Sequence, residues 1–242
     1  MKKSLFILSI FIFSVNVAFS QEKVTNIPKF DDKSWHWGYY LGANYYSFNV
    51  LPTRLGMITT DNNTQKDRMG IQVQSTPGLT VGLISDFRLN EYFNLRFEPG
   101  LNYATRKLIY DNEIISNSGD SNGLERSISS TYIDLTLLVK FGGKRSKNIK
   151  PYVIGGAKLS IDLNSKEDNS EDNTNGVFKM KTITASYDLG AGIDWYLPYF
   201  KFSTELRGSF GVMNEMVEDQ TIYTTSIEKL RTRAIFFVLK FE

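Results

Sequence analysis

The stretch FNLRFEPGLNYATR, residues 93–106, carries the pattern that decides the fold class of this chain. Along it, Leu95, Phe97, Leu101 and Tyr103 alternate with Asn94, Arg96, Glu98 and Asn102. Successive side chains of a strand point to opposite faces, so the pattern predicts a strand with one apolar face and one polar, partly charged face. A tilted strand needs about 9 to 11 residues to cross a bilayer, and this stretch is long enough.

Seven further segments show the same alternation. They span residues 37–49, 78–89, 128–141, 151–163, 185–197, 200–210 and 230–241. A membrane-spanning helix needs about 18 consecutive apolar residues, which no segment beyond the N-terminal region offers, so the sequence excludes a helical membrane protein. Eight half-apolar segments of this length are instead typical of a β-barrel in an outer membrane.

The connections between these segments alternate in length. Residues 90–92, 142–150 and 198–199 form short joints, whereas residues 50–77, 107–127, 164–184 and 211–229 form long polar ones. We therefore expect an all-β, eight-stranded antiparallel transmembrane β-barrel with short periplasmic turns, long extracellular loops and both termini in the periplasm. A soluble β-sandwich or lipocalin-like barrel fits less well, since its strands would not need charge on every polar face.

The N-terminal residues read as an export signal. Lys2 and Lys3 precede an apolar run over residues 5–13, and small residues at Ala18 and Ser20 suit a signal peptidase. We expect a cleaved signal peptide at residues 1–20, a periplasmic N-terminal segment at 21–36 and the outer-membrane barrel at 37–242. The absence of cysteine excludes lipid attachment through cysteine and disulfide bonds.

Net charge gives no indication of a polyanionic partner. Removing Lys2 and Lys3 lowers the 28 basic residues to 26, which equals the 26 acidic ones. A neutral mature chain provides no argument for nucleic-acid binding, and the expected partner is the lipid of the outer membrane.

The polar faces of the predicted strands carry charges of both signs. The thirteen are Asp86, Arg88, Arg96, Glu98, Asp134, Lys140, Lys158, Asp162, Asp188, Asp194, Lys201, Glu205 and Arg207. Side chains just fill the interior of an eight-stranded barrel, so we expect these charges to form an ion-paired plug that leaves no open pore.

Aromatic residues near the ends of the segments suggest interfacial girdles. They are Trp37, Tyr39, Phe87, Tyr92, Trp195, Tyr196, Tyr199 and Phe200. Trp and Tyr favour the membrane–water boundary, although ordinary strand aromatics would give the same pattern.

The sequence offers no catalytic constellation and no cofactor site. His36 is the only histidine and lies between Trp35 and Trp37, where we expect an interfacial position and no general base. The acidic run at residues 166–172 leaves two interpretations open, a solvated outer loop or, less well supported, a Ca²⁺ site, because the residue order of an EF-hand loop is missing. The basic joint at residues 144–150 is either a plain turn or a contact for lipid headgroups. We expect no enzyme and no bound metal.

Five pieces of the sequence resemble one family of barrels. They are GIDWYLPYFKFSTEL at 192–206, PYVIGG at 151–156, FEPGL at 97–101, TYIDL with LVKF at 131–135 and 138–141, and FVLKFE at 237–242. Together they resemble the PorT family within the porin-like outer-membrane barrels. The resemblance implies a component of the type IX secretion system, which also serves gliding motility, with other secretion proteins as partners and no reaction of its own.

Three hypotheses follow for function. The first is a non-enzymatic accessory barrel of protein secretion that acts through its turns, its N-terminal segment or its outer wall. The second is a binding or adhesion barrel that works through its long loops, since loops on a rigid scaffold commonly carry recognition. The third is a narrow diffusion pore, against which the charged lumen argues.

Overall fold

A computed structural model describes residues 25–60, 66–112, 124–165, 178–218 and 221–242. The expected signal peptide at 1–20, the expected mature start at Gln21 and the acidic run at 166–172 lie outside the described residues. Among those that are described, no helix is both long enough and apolar enough to span a membrane.

Most of the described chain is strand. The strands are β1 (Trp35–Pro52), β2 (Met57–Thr60), β3 (Lys66–Met69), β4 (Ile71–Ser75), β5 (Pro77–Arg88), β6 (Phe93–Tyr110), β7 (Glu125–Gly142), β8 (Ile149–Asp162), β9 (Ile183–Tyr196), β10 (Lys201–Gly211) and β11 (Ile227–Phe241). Two 3₁₀ turns, Phe30–Asp32 and Arg54–Gly56, and one short helix, α1 (Ile222–Thr225), complete the elements.

Eight strands close into a ring. Their order is β6-β5-β1-β11-β10-β9-β8-β7, every pair is antiparallel, and β7 pairs back with β6. Strand β4 comes directly before β5 and pairs with the same strand, β6. Between β4 and β5, the backbone nitrogen of Thr76 donates to the Thr105 carbonyl at 3.1 Å. The closed eight-stranded antiparallel barrel predicted from the alternating segments is confirmed.

The boundaries of several strands differ from the expectation. Strands β6 and β7 extend to Tyr110 and Glu125, so they take up residues that composition assigned to a loop. The expected loop at 50–77 contains three short strands, of which β2 and β3 form a hairpin. Strand β1 begins at Trp35, so His36 belongs to the barrel wall. Polar composition alone marked these residues as loop, whereas backbone pairing with a neighbouring strand decided their conformation.

The outer wall of the barrel is apolar. Leu79 and Leu83 on β5 are 73% and 61% exposed, and Leu206 on β10 and Phe237 on β11 are 59% and 53% exposed. Inward neighbours of these residues are buried. This inversion of a soluble core, with apolar residues outside, is what a lipid-facing barrel requires.

The two ends of the barrel are different. The terminal end carries the turns at 89–92, 143–148 and 197–200, the start of β1 and the end of β11. The loop end is filled by an apolar cluster in which strand residues pack against residues from the connections. The cluster comprises Phe48, Ile71, Leu108, Tyr110, Ile128, Phe178, Met180, Met216, Tyr223, Ile227 and Leu230. Hydrophobic side chains therefore close the barrel above its polar interior.

Candidate functional site

The barrel lumen brings most of the predicted charged residues together. Twelve of the thirteen are buried, and Arg88 alone lies partly exposed at the terminal end. Each buried charge projects inward, and most have an apolar neighbour in sequence that faces the lipid side. Strand parity therefore places these charges in one narrow interior.

A central cluster of four charges spans the lumen. Arg207 Nη2 donates to Glu98 Oε2 and to Glu205 Oε1, each at 2.5 Å. Lys240 Nζ donates to the other oxygens of the same carboxylates, to Glu98 Oε1 at 2.5 Å and to Glu205 Oε2 at 2.7 Å. Each cation thus bridges both glutamates, and the hydroxyl of Tyr152 adds a hydrogen bond to Glu205 at 2.8 Å. The central cluster is electrically neutral.

A second group, the terminal cluster, lies towards the chain ends. Arg96 Nη2 donates to Asp86 Oδ2 at 2.5 Å and to Glu242 Oε1 at 2.9 Å. Lys201 Nζ donates to the second oxygen of Glu242 at 2.7 Å. The terminal cluster ties β6, β5 and β10 to the last residue of the chain.

Further pairs complete the lumen on both sides of the central cluster. Lys140 Nζ donates to Asp194 Oδ2 at 2.6 Å, next to the terminal cluster. On the side of the loop end, Lys158 Nζ lies 3.5 Å from Asp134 Oδ2 and 3.8 Å from Asp188 Oδ1. The charges therefore compensate one another along the whole polar interior.

Two of the thirteen residues take other positions. Arg88 lies at the terminal end, where Nη1 donates to the backbone carbonyl of Asp31 and Nε to that of Asn90 at 3.2 Å. Asp162 is buried near the loop end, and its Oδ1 accepts from the backbone nitrogen of Asn164 at 3.0 Å. Both residues stabilise the ends of strands and do not join the central or terminal cluster.

One comparison places this barrel among known proteins. The sequence profile of the family described as "Outer membrane protein beta-barrel domain" matches residues 19–217. The chain belongs to this family. The barrel is therefore an outer-membrane protein, and its apolar wall faces the lipid of that membrane.

Several solved structures resemble this outer-membrane barrel at low identity. OprG from Pseudomonas aeruginosa is 7% identical, with a TM-score of 0.46 over 90% of this chain and 98% of that one. Neisserial surface protein A is 8% identical, with a TM-score of 0.41 over 86% and 98% of the two chains. Ail, the attachment invasion locus protein of Yersinia pestis, is 8% identical, with a TM-score of 0.38 over 86% and 98%. None of the curated proteins with which the chain was compared matches it.

Sequence reasoning missed several charges of the barrel lumen. Lys240 and Arg106 are fully buried, and the terminal cluster includes Glu242. The signal for Lys240 was present, since it lies between the outward Leu239 and Phe241. Arg106 likewise has the parity of Arg96 on the same strand. Glu242 follows Lys240 by two residues, so the same parity places its side chain inward.

The connections also supply a buried charge. Glu215, in the connection after β10, is 2% exposed and accepts hydrogen bonds from the backbone nitrogen of Thr232 at 3.0 Å and from its hydroxyl. Burial raises the pKa of the Glu215 carboxyl above its ordinary value. Arg106 Nη1 donates to the same Thr232 hydroxyl at 2.9 Å, which links the loop to the lumen. No periodic pattern marks Glu215 in the sequence.

One residue of the expected aromatic girdle was placed wrongly. His36, near the start of β1, is buried as the inward residue between the outward Trp35 and Trp37. Tyr196 is 1% exposed and faces the lumen, so it does not belong to a girdle. By contrast, Trp37 and Tyr199 are 69% and 93% exposed at the terminal end.

The filled lumen leaves little free space. A cavity beside Asp134, Asp188 and Arg207 holds about 10 Å³, and another beside Asp194 and Lys201 also holds about 10 Å³. Each volume suits about one water molecule. Within the described ranges, no group of three or more His, Asp or Glu side chains is arranged to hold a metal ion. The ion pairs of the lumen therefore connect the strands of the barrel to one another.

Proposed function

We propose that this outer-membrane barrel is a non-conducting, non-enzymatic component of protein secretion, of the PorT type in the type IX system. Its role is to work through its outer surfaces. The observation that carries the non-conducting part is the contact between Arg207 on β10 and Glu98 on β6, which spans the lumen.

The chemistry of the lumen favours a closed, ion-paired interior and not a diffusion pore. A diffusion pore needs a continuous aqueous path with fixed charges that stay hydrated. Here Glu98, Glu205 and Lys240 are at most 1% exposed, and Lys240 donates hydrogen bonds to both carboxylates. Opening a path would separate these ions in a low-dielectric interior, which is costly.

Support for the secretion role comes from the resemblance to the PorT family. Its longest run, residues 192–206, forms the end of β9, the turn at 197–200 and the start of β10. Asp194 and Glu205 of this run face the lumen, whereas Tyr199 lies fully exposed in the turn. The run therefore combines structural residues with an accessible surface on which a secretion partner could bind.

A non-enzymatic role agrees with the setting of the single histidine. The Nε2 atom of His36 lies 2.8 Å from the carbonyl oxygen of Phe30, and the two rings stack at 4.4 Å. That contact uses one ring nitrogen to hold the backbone, which suits a structural residue better than a general base.

Gene deletion tests the secretion role. We expect the culture medium of a deletion strain to lose exported proteins, and a wild-type copy of the gene to restore them. An unchanged set of exported proteins together with lost attachment to surfaces would favour the adhesion hypothesis. Steady, large conductance of the purified protein in planar bilayers would favour the diffusion pore.

A further inference from the structure

A short stretch of chain lies across the terminal end of the barrel before β1 begins. We name residues 25–34 the mouth segment. Its last residue bonds to β5, since the Ser34 carbonyl accepts from the backbone nitrogen of Arg88 at 2.9 Å, and the rest is held by side chains from turns and strands. The backbone nitrogen of Asn26 donates to Asn148 Oδ1 at 2.8 Å, and its amide donates to the Tyr196 carbonyl at 3.0 Å.

The barrel grips one carboxylate of the mouth segment. The hydroxyl of Tyr196 lies 2.9 Å and 2.7 Å from the two oxygens of Asp31, and Lys150 Nζ lies 3.7 Å from Oδ2. In the described part of the chain, Asp31 is the carboxylate paired with Lys150. Removing Asp31 from the mouth would leave a lysine and a phenol donor without an anion.

An aromatic pocket lies next to this carboxylate site. Phe30 stacks on His36, with ring centroids 4.4 Å apart, and meets Tyr196 edge to face at 6.1 Å. Lys201 Nζ lies 4.9 Å from the centre of the Phe30 ring. The mouth therefore holds an aromatic side chain and the acidic side chain that follows it.

The barrel also binds the backbone of the mouth segment. Arg145 donates to the carbonyl of Asn26 and, at 3.4 Å, to that of Ile27. Arg88 donates to the carbonyl of Asp31. Ile27 has a φ of 38°, a conformation that β-branched residues rarely adopt. The segment is thus held in a strained conformation by contacts from outside it, and release would relieve that strain.

We propose that the terminal mouth is a binding site for a protein segment with an aromatic residue followed by an acidic one, and that the mouth segment is its built-in occupant. A partner segment of this chemistry would displace residues 25–34 and place its own carboxylate between Tyr196 and Lys150. The exchange connects the barrel to a protein at its terminal end. This exchange does not depend on the secretion role, because binding of a peptide to the purified barrel can be measured without it.

A peptide fits the mouth better than a lipid headgroup does. Arg145, Arg88 and His36 contact backbone carbonyls, and the Phe30 site takes a planar ring. A phosphorylated headgroup offers neither carbonyls in a row nor an aromatic ring. Carboxylate, ring and carbonyls together are features of a polypeptide.

The test uses the full chain and a synthetic peptide with the sequence of residues 25–34, TNIPKFDDKS. The mouth segment is tethered to the barrel, so its high local concentration would outcompete a free peptide. Asp31→Ala is therefore introduced to weaken the binding of the mouth segment to its site. We expect the labelled peptide to bind this variant saturably. Because the chain lacks cysteine, Asn26→Cys with Asn148→Cys can be added to lock the segment in place by a disulfide. Oxidation should abolish peptide binding, and reduction should restore it.

Substitutions in the site and in the peptide complete the test. Tyr196→Phe and a peptide with Asn at the position of Asp31 should each weaken binding by about tenfold or more, as expected when a hydrogen bond to a charged group is lost. Lys150→Gln removes an ion pair of 3.7 Å and should weaken binding by a smaller factor. Lys144→Gln is the matched control. Lys144 is exposed in the turn at 143–148, which also carries Arg145 and Asn148, and its substitution should leave affinity unchanged. Folding of every variant is checked by its circular dichroism.

Four results would overturn the proposal. They are no binding to the Asp31→Ala chain, equal binding to the locked chain, equal affinity for the Asn peptide, and displacement of the peptide by glycerol phosphate at the same concentration. The last result would assign the mouth to a lipid headgroup.

Discussion

Arg207 and Glu98 meet across the full width of the barrel. Arg207 Nη2 lies 2.5 Å from Glu98 Oε2, although β10 and β6 are four strands apart in both directions around the ring. The backbone ladder joins only neighbouring strands, whereas this ion pair joins opposite walls. It therefore resists any widening of the lumen.

Replacing Arg207 with alanine should destabilise the barrel. The substitution leaves Glu98 and Glu205 facing each other with one cation fewer, and breaking a buried pair by removing one partner costs about 3 to 5 kcal/mol. Urea unfolding in lipid vesicles measures this change in the free energy of unfolding. Arg233→Ala, on the exposed face of β11, is the matched control and should change it by less than about 0.5 kcal/mol.

The same variant tests whether the lumen is closed. We expect wild-type protein to show no steady conductance in planar bilayers and Arg207→Ala to show more frequent transient openings. Unchanged stability of the variant together with large conductance of the wild type would contradict an ion-paired plug.

Lys240 and Glu98 should behave as a coupled pair. Lys240→Met removes the cation that bridges two buried carboxylates and leaves them Arg207 and the more distant Arg96, so we expect a loss of several kcal/mol. Adding Glu98→Gln removes one of those carboxylates, and the double variant should be more stable than the sum of the single changes predicts. A double-mutant cycle in urea unfolding gives the coupling free energy. Strict additivity would show that Lys240 and Glu98 do not act together.

Gly100 should not tolerate a side chain. A Cβ atom there would overlap the hydroxyl of Tyr40 and lie 3.0 Å from its ring carbon Cζ. We expect Gly100→Ala to cost about 1 to 3 kcal/mol through overpacking, and Tyr40→Phe to recover part of that loss. Gly155→Ala is the control, since its Cβ would lie 3.2 Å from the lipid-side Leu189 side chain and at an ordinary 3.8 Å from the Asp188 carbonyl oxygen. Equal unfolding free energies for both alanine variants would refute the close packing of Tyr40 on Gly100.

The pH dependence of stability should include a contribution from Glu215. Burial raises the pKa of this carboxyl, so the folded chain retains the proton to higher pH than the unfolded chain does. The resulting stabilisation is present below the unfolded pKa of about 4.3 and is lost as the pH rises through the folded pKa. The difference in unfolding free energy between wild type and Glu215→Gln should therefore shift in favour of wild type as the pH falls from 7.5.

A matched acid distinguishes this effect from general titration. Glu228 has an exposed side chain, 54% accessible, on the same strand as Thr232. Glu228→Gln is the control variant and is measured over the same pH range. A flat profile for Glu215→Gln would mean that its carboxyl stays ionised when buried.

The loop end should face the medium. The polar connection at 164–184 is expected outside the cell, and an epitope inserted at Asn173, which lies outside the described residues, should react with antibody on intact cells. An epitope inserted in the turn at 143–148 is the control and should react only after permeabilisation. The reverse pattern would invert the topology.

The alternation along eight segments, together with the alternating lengths of their connections, was enough to predict an eight-stranded barrel. Side-chain parity also placed Glu98, Asp194 and Arg207 on the inward face. The extension of β6 to Tyr110 was not predicted, because the polar–apolar alternation stops at the adjacent apolar residues Leu108 and Ile109, and pairing with β7 continues the strand there. The inward turn of His36 was readable from parity, but its position between two tryptophans suggested an interface.

The sequence by itself determined the class of fold and the two faces of each strand, because a period of two fixes which side chains share a face and which environment each face can tolerate. Only the tertiary structure decided which charges pair. Arg207 and Glu98 are 109 residues apart, and their contact depends on ring closure and strand register, which no local pattern encodes. The contacts of the mouth segment also depend on the tertiary structure. Asp31 meets Tyr196 only because the closed barrel brings residues 25–34 and the end of β9 to the same rim.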